Sequence, residues 1–353
     1  MRGLTLLAPG LEGPREGRSQ DRTQALSAVL AGLDLAALDL LVARAEHADD
    51  GPDDGDGLEA YLAACFGVGR SPGGDVPVAA LTYALDGGDP GDRDWLRLDP
   101  VHLRPDLSGL VLFDAAHLGL DAAEAASLVG EIDAYLAPEG LTVEAPVPTR
   151  WYVGLDASPR MRTTAPSLVD GRPVGDALPD GPDARVWHRR LNALQMVLHT
   201  AAANQVRERD GRPTVNSLWA WGGGAMPASV RSRWDVVWTD DPLAAALARA
   251  AGARLEPVPA DGREWLTTAD QGDHLVVLTA GAAAARGNDA GAWRDFVATL
   301  SHAWIRDAVT ALRDRRLDAL RLLTGDRRVA SLSRAGLRRF WRRGPGFVRW
   351  LGR

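Results

Sequence analysis

The sequence predicts an α/β protein: a parallel sheet covered by helices on both faces, interrupted by an inserted α+β unit. Two observations carry this. The last third alternates short apolar runs with helical patterns, which is how a parallel sheet reads in sequence. Residues 95–155 differ, with two strand-like runs, a helix and two further runs forming a compact α+β unit. The chain has 353 residues, 46% apolar and 25% charged, and can bury a core for each.

The elements follow in order. Residues 4–8 form a continuous apolar run closed by Pro9-Gly10, which predicts a short buried strand. Leu26, Val29, Leu30, Leu33, Leu38, Leu41 and Val42 give helical periodicity over 25–45, divided by Gly32 and capped again by Asp34. Residues 49–57, DDGPDDGDG, read as a solvated acidic loop, because the spacing lacks the distal Glu of a calcium-binding loop. A helix over 58–68 carries the single cysteine, Cys65, as a small buried apolar residue. Alternation over 95–102 and an apolar run over 110–113 flank Arg104-Pro105-Asp106 as a hairpin. Asp121, with Glu124 three residues on, opens a helix to Leu136. Runs at 141–144 and 150–155 add two strands.

A Pro- and Gly-rich connection then leads to a long helix over 183–209. Strands are expected at 215–221, ending in Gly222-Gly223-Gly224, and at 234–238, 254–258 and 274–279. Helices are expected at 242–251, with Asp241 as cap and Pro242 in first position, and at 290–313. Residues 317–323 are a strand or a helix end. The expected organisation is a core of 1–90 and 183–353, an insert of 91–158, a connection of 159–182 and an Arg- and Trp-rich tail of 334–353.

Composition excludes several chemistries. All 40 basic residues are Arg, so there is no Lys for a phosphate-binding loop or a Schiff base. One Cys rules out a disulfide framework, a zinc ribbon and an iron–sulfur cluster. No run of about 18 apolar residues occurs and the first apolar run is too short for a signal peptide, so a soluble cytoplasmic protein is expected. The net charge of −7 is uneven: residues 313–353 hold 13 Arg against 3 Asp, a net of +10, leaving −17 on the rest. Within that stretch Arg338, Arg339, Phe340, Trp341, Arg342, Arg343 and Trp350 mix cations with aromatics and no acid. Such a segment suits a nucleic-acid backbone or an anionic membrane surface, and docking on the acidic body is the simpler reading.

Two Asp-x-x-His pairs, Asp99 with His102 and Asp114 with His117, fall at strand ends of the insert. With Arg97 they offer a polar pocket for a small anionic ligand, against the plainer reading of hydrogen-bonded structural histidines. Gly222, Gly223 and Gly224 would let backbone approach a phosphate, against the plainer reading of a tight strand exit. Asn204-Gln205-Val206-Arg207, followed by Asn216-Ser217-Leu218-Trp219-Ala220-Trp221-Gly222-Gly223-Gly224, resembles the N-x-x-R and N-x-x-W-x-W-G-x-G segment of archaeal-type cofactor-independent phosphoglycerate mutases. The middle unit is similar to the inserted domain of those enzymes. Trp95-Leu96-Arg97 and Asp99-Pro100-Val101-His102-Leu103 look like strings of the RpfE-type bacterial regulatory proteins. Both resemblances imply an alkaline-phosphatase-like fold, and the first adds Asn216 and the three glycines to the ligand candidates.

The resemblance also implies where chemistry would sit. Active members of that superfamily hold two divalent metals with Asp and His and attack phosphate with Ser or Thr. The first metal-binding string falls on Pro9-Gly10-Leu11-Glu12-Gly13, and the nucleophile's helix begins near Leu58-Glu59 with no Ser or Thr. The Asp-x-x-x-His string falls on residues 281–287, which hold neither, and the last Asp-His pair falls on Asp326-Arg327. Glu12 and Asp326 are thus the only metal candidates. The implied function is a binding or regulatory protein without its metal site and with no cofactor. Two alternatives stand beside it: an active mutase or phosphohydrolase with a rebuilt, metal-dependent site, and a nucleic-acid-associated regulator. The expected partner is a small anionic ligand or a regulatory protein.

Overall fold

The computed structural model describes residues 2–14, 19–49, 57–70, 74–107 and 109–352, so the acidic loop expected at 49–57 lies almost wholly outside the described residues. The chain divides into two compact units, Met1–Phe66 with Arg231–Arg353, and Gly67–Val230. Its strands are β1 (Arg2–Leu7), β2 (Glu46–Ala48), β3 (Asp94–Asp106), β4 (Gly109–Phe113), β5 (Thr142–Val147) and β6 (Arg150–Leu155). They continue as β7 (Ser217–Ala225), β8 (Val236–Trp238), β9 (Arg254–Glu256), β10 (Gly272–Val277), β11 (Ala319–Leu323) and β12 (Val329–Ser333). Among the described residues no helix is long and apolar enough to cross a membrane.

The first unit holds a seven-stranded sheet in the order β2-β12-β11-β1-β10-β8-β9. Strands β11, β1, β10, β8 and β9 run parallel, and β12 and β2 add an antiparallel edge. Leu4 and Leu6 of β1 face a core built with Leu38, Leu41 and Val42 from one side chain stripe and Trp293, Val297 and Leu300 from another. Alternate residues Leu7, Val237, Leu275 and Val277 are also buried, so neither face of these strands meets water. Asp241 caps the helix Pro242–Ala250 as the sequence predicts, accepting from Ala244 N at 2.8 Å. The helix expected over 290–313 is continuous but passes through a π-helical turn, Leu300–Ile305. There Ser301 Oγ and His302 Nε2 both bond to Asp34 O, at 3.1 and 2.8 Å.

His274 on β10 is completely buried. Its Nδ1 accepts from Trp238 Nε1 at 3.1 Å and its Nε2 faces Asp270 O at 3.2 Å, so the neutral ring is satisfied on both sides. Burial holds its pKa below the ordinary 6.5. The unfolded chain therefore takes up this proton first. The contribution to stability is whole above about pH 6.5 and is lost as pH falls through the folded-state value. Urea midpoints are expected to fall between pH 7 and pH 5, with a flatter fall in His274→Gln; an equal slope in both would show that other groups carry it.

In the second unit β3 is the hub. Its first residues pair antiparallel with β6 on one side and β7 on the other, and His102–Asp106 pair with β4. Strand β5 completes the sheet beside β6. The run expected at 215–221 in the parallel sheet lies here instead, with Trp219 opposite Asp99 and Trp221 opposite Arg97. Residues 217–224 are buried throughout, and a run buried on both faces does not declare which sheet it joins. The hairpin also turns later than expected, since Arg104-Pro105-Asp106 still belong to β3.

Helix Ala122–Leu136 opens with the expected capping box of Asp121 and Glu124. The long helix breaks at Ala201, which is extended at φ −60°, ψ 134°, into Ala184–Thr200 and Ala202–Arg209. Asn204 fixes the break: its Nδ2 donates to Leu198 O and Val215 O, and its Oδ1 accepts from Val215 N. Arg207 is fully buried and donates to Glu124 at 2.8 Å, to Pro213 O at 2.8 Å and to Leu118 O. The Asn204 and Arg207 of the mutase-like string thus act as internal ties of this unit.

Candidate functional site

Ligands of parallel α/β sheets gather at the carboxyl ends of the strands. In the first unit that edge is made by the loops after β1, β10 and β11, and they lie backbone against backbone. A Cβ placed on Gly10, whose φ is +79°, would stand 2.5 Å from Gly281 O and 2.6 Å from Ala282 N. One on Gly325, φ +85°, would stand 2.7 Å from the Cα of Pro9. Trp293 Nε1 donates to Gly10 O at 3.0 Å and pins the first loop further.

Asp326 is engaged within its own turn. Its Oδ1 accepts from Arg328 N at 2.8 Å and from the Thr324 hydroxyl, and its Oδ2 accepts from Arg328 Nε at 2.8 Å. Burial would raise its pKa, but the bonds from Arg328 and Thr324 outweigh burial and hold it below the usual carboxylate range. Glu12 lies in the loop after β1, where its carbonyl accepts from Arg22 at 3.0 Å. In helix Leu58–Cys65, burial pushes the Cys65 thiol up to about 12, which keeps it an inert thiol.

In the second unit Gly222, Gly223 and Gly224 are not the expected strand exit but lie within β7, where Gly224 is still opposite Trp95 of β3 and the strand ends at Ala225. At that end a cleft of about 460 Å³ opens between Gly67–Arg70, Pro77, Asp94, Ser158 and Ala225–Ser229. Its size is that of a small-molecule pocket. Gly222, at φ +66°, passes so close to Val78 that a Cβ would stand 3.0 Å from it, and its N–H donates to Thr163 Oγ1 at 3.1 Å. Asp75 in turn accepts from Thr163 N at 3.1 Å and from its hydroxyl, with Arg70 at 3.8 Å; burial raises its pKa. Asp94 accepts from Ser158 N, while the buried Ser158 Oγ has no partner among the described residues. The cleft therefore offers one guanidinium, one spare hydroxyl and exposed strand-end backbone.

The other candidates from the sequence are placed as follows. Arg97 and Asp99 are both 5% exposed and bind one another through Nε–Oδ1 and Nη2–Oδ2, each 2.8 Å. Thr82 Oγ1 accepts from Arg97 at 3.3 Å, Trp221 Nε1 donates to Asp99 at 2.7 Å, and Tyr152 and Trp221 lie against the guanidinium. His102 Nδ1 meets Thr214 O at 2.8 Å, and Asn216 clasps the backbone of Leu103 at both ends. None of these bonds reaches Asp114 or His117. In the tail, Phe347 and Trp350 are buried, Arg328 lies over the Trp350 ring, and Arg339 pairs with Glu46 at 3.0 Å. Arg338, Trp341, Arg342 and Arg343 stay exposed.

Asp114 and His117 come together with a third residue, Asp170. His117 Nδ1 stands 3.0 Å from Asp114 Oδ1 and 3.6 Å from Asp170 Oδ1, and Asp114 N donates to Asp170 at 3.1 Å. One ligand atom from each lies within 4.8 Å of the other two. An imidazole with two carboxylates is a donor set for a divalent transition ion. This corrects the expectation of a chain with no metal or cofactor. The sequence hides the group because Asp170 comes from the 159–182 connection, which a bridge from Asp170 to Leu112 and the bond Gly171 N to Leu112 O lay along β4.

No protein-family model matches the chain. It is 26% identical over 170 residues to the 2,3-bisphosphoglycerate-independent phosphoglycerate mutase of Methanosarcina mazei. It is 28% identical over 117 residues to the enzyme of that name from Methanosarcina acetivorans. These matches cover 47% and 33% of this chain but 40% and 29% of those proteins, so the chain spans less than half the length of the curated relatives it matches. A solved structure of a protein from Pyrococcus horikoshii superposes with a TM-score of 0.55 over 93% of this chain and 86% of that one, at 15% identity. These findings lend nothing to the RpfE-type label. The fold is the expected alkaline-phosphatase-like α/β arrangement, and in sequence the chain is distantly similar to cofactor-independent phosphoglycerate mutases.

Proposed function

We propose that this chain is a ligand-binding relative of those mutases that does not carry out their phosphoryl transfer, and that a small anionic ligand occupies the cleft beyond β7. The observation that carries this reading is the closed carboxyl edge of the parallel sheet. Metal-assisted phosphoryl transfer needs room there for a phosphate, two cations and a nucleophile. Instead Gly10 abuts Gly281 and Ala282, Gly325 abuts Pro9, and Asp326 is held by Arg328. The cleft supplies what an anion needs: Arg70, the Ser158 hydroxyl and the backbone after Gly224. A cation at Asp114, His117 and Asp170 would fasten the 159–182 connection to β4, a holding role rather than a catalytic one. A regulatory role would follow if ligand occupancy were read by a partner protein.

Calorimetry with 3-phosphoglycerate and inorganic phosphate, beside a mutase assay with Mn²⁺, Mg²⁺ or Zn²⁺, tests the reading. At least one of the two anions is expected to bind, about tenfold or more weakly in Arg70→Ala, with no interconversion of 3- and 2-phosphoglycerate. Turnover that disappears in Asp326→Asn would overturn it, and so would binding of neither anion.

A further inference from the structure

Between helices Arg334–Leu337 and Phe347–Leu351 the chain forms a short loop that presents two adjacent aromatics to solvent. Phe340 and Trp341 are 77% and 66% exposed, more than any other aromatic among the described residues. Their rings meet edge to face, 5.2 Å apart at 80°. The loop is anchored on both sides. Leu337 is buried before it, and Phe347 and Leu351 are buried in the core after it. Gly344 lies so close to helix Ala36–Arg44 that a Cβ would stand 2.6 Å from the Cα of Ala43, and Arg339 pairs with Glu46. Arg338, Arg342 and Arg343, which flank the two aromatics in the chain, are exposed and make no ion pair among the described residues, and residues 327–353 contain no acid.

We propose that this loop docks the protein on an anionic phospholipid surface. Phe340 and Trp341 would seat at the boundary between headgroups and acyl chains, with Arg338, Arg342 and Arg343 against the lipid phosphates. Paired exposed aromatics flanked by cations are the composition of an interfacial anchor, and Trp favours that boundary. The charge is complementary and local: residues 313–353 carry +10 while the rest of the chain carries −17, so attraction to an anionic plane turns this face toward it. Single-stranded nucleic acid fits less well. Its platforms set open ring faces along a basic groove, whereas here one ring's edge covers the other's face and both rings project.

The test is co-sedimentation of the full chain with vesicles of phosphatidylglycerol and phosphatidylcholine in equal parts, and with phosphatidylcholine alone. Binding is expected to the mixed vesicles and to weaken with added salt. Trp341→Ala is expected to lower the partition coefficient about tenfold, and Arg342→Ser with Arg343→Ser about 30-fold. Thermal melting should be unchanged in both variants, since these side chains are exposed. The proposal is overturned if the intact chain ignores the mixed vesicles, if Trp341→Ala binds them equally well, or if the loop instead binds single-stranded RNA and no lipid.

Discussion

Replacing Arg97 by Met is expected to lower the unfolding free energy by about 3–5 kcal/mol, because it leaves a buried carboxylate without its cation. Asp99 is buried on β3 opposite Trp219 of β7 and bonded by Trp221 Nε1, and burial already pushes its pKa up while Arg97 opposes the shift. With the guanidinium gone, Asp99 must take up a proton or draw water into a packed sheet. Either route consumes a large share of the roughly 5–15 kcal/mol by which domains are stable. The double variant Arg97→Met with Asp99→Leu is expected to recover most of the loss, since a buried ion pair is about as stable as well-packed apolar groups of like volume. Urea denaturation of the single and double variants measures both. A single variant within about 1 kcal/mol of the parent would mean that the pair is open to solvent, and would return Arg97 and Asp99 to the ligand candidates.

The second large effect is expected at Gly10. Gly10→Ala adds a methyl group where φ is +79° and where backbone atoms of Gly281 and Ala282 stand 2.5–2.6 Å away. Left-handed strain and overpacking together amount to roughly 2–5 kcal/mol. Gly32 provides the control: its φ is +78°, yet nothing lies within 4 Å of a Cβ there. Gly32→Ala is therefore expected to cost only the conformational part, about 1–2 kcal/mol. Thermal melts of the pair separate strain from contact. Equal melting temperatures would show that the loops after β1 and β10 are not pressed together, and the argument against phosphoryl transfer would lose its footing.

Much of the fold can be read from local signals. Asp121 and Glu124, and Asp241 before Pro242, mark helix starts because their side chains answer unpaired N–H groups a few residues away. The break at Ala201 is not legible, because the bonds that create it run from Asn204 to Val215 across a turn. The strand β7 is misplaced for the same reason, since its choice of sheet depends on β3, more than a hundred residues earlier. At the candidate site, the lack of Asp and His in residues 281–287 is visible in the sequence, whereas the packing of Gly10 on Ala282 is not. Arg97, Asp99 and His102 read as a ligand pocket because residue type reveals polarity but not direction. Asp170 is not legible as a site residue because its partners, Asp114 and His117, lie on another segment.

The position of β1 bears on how the chain is made. It is the central strand of its sheet, yet its two neighbours, β10 and β11, begin at residues 272 and 319. The unit Gly67–Val230 is contiguous and can close on itself as soon as β7 has left the ribosome. Leu4, Leu6 and Leu7 must wait, unpaired and apolar, until β10 and β11 have been made. Assembly thus runs from the contiguous unit outward, and β1, made long before either of its neighbours, is among the last strands to find its place.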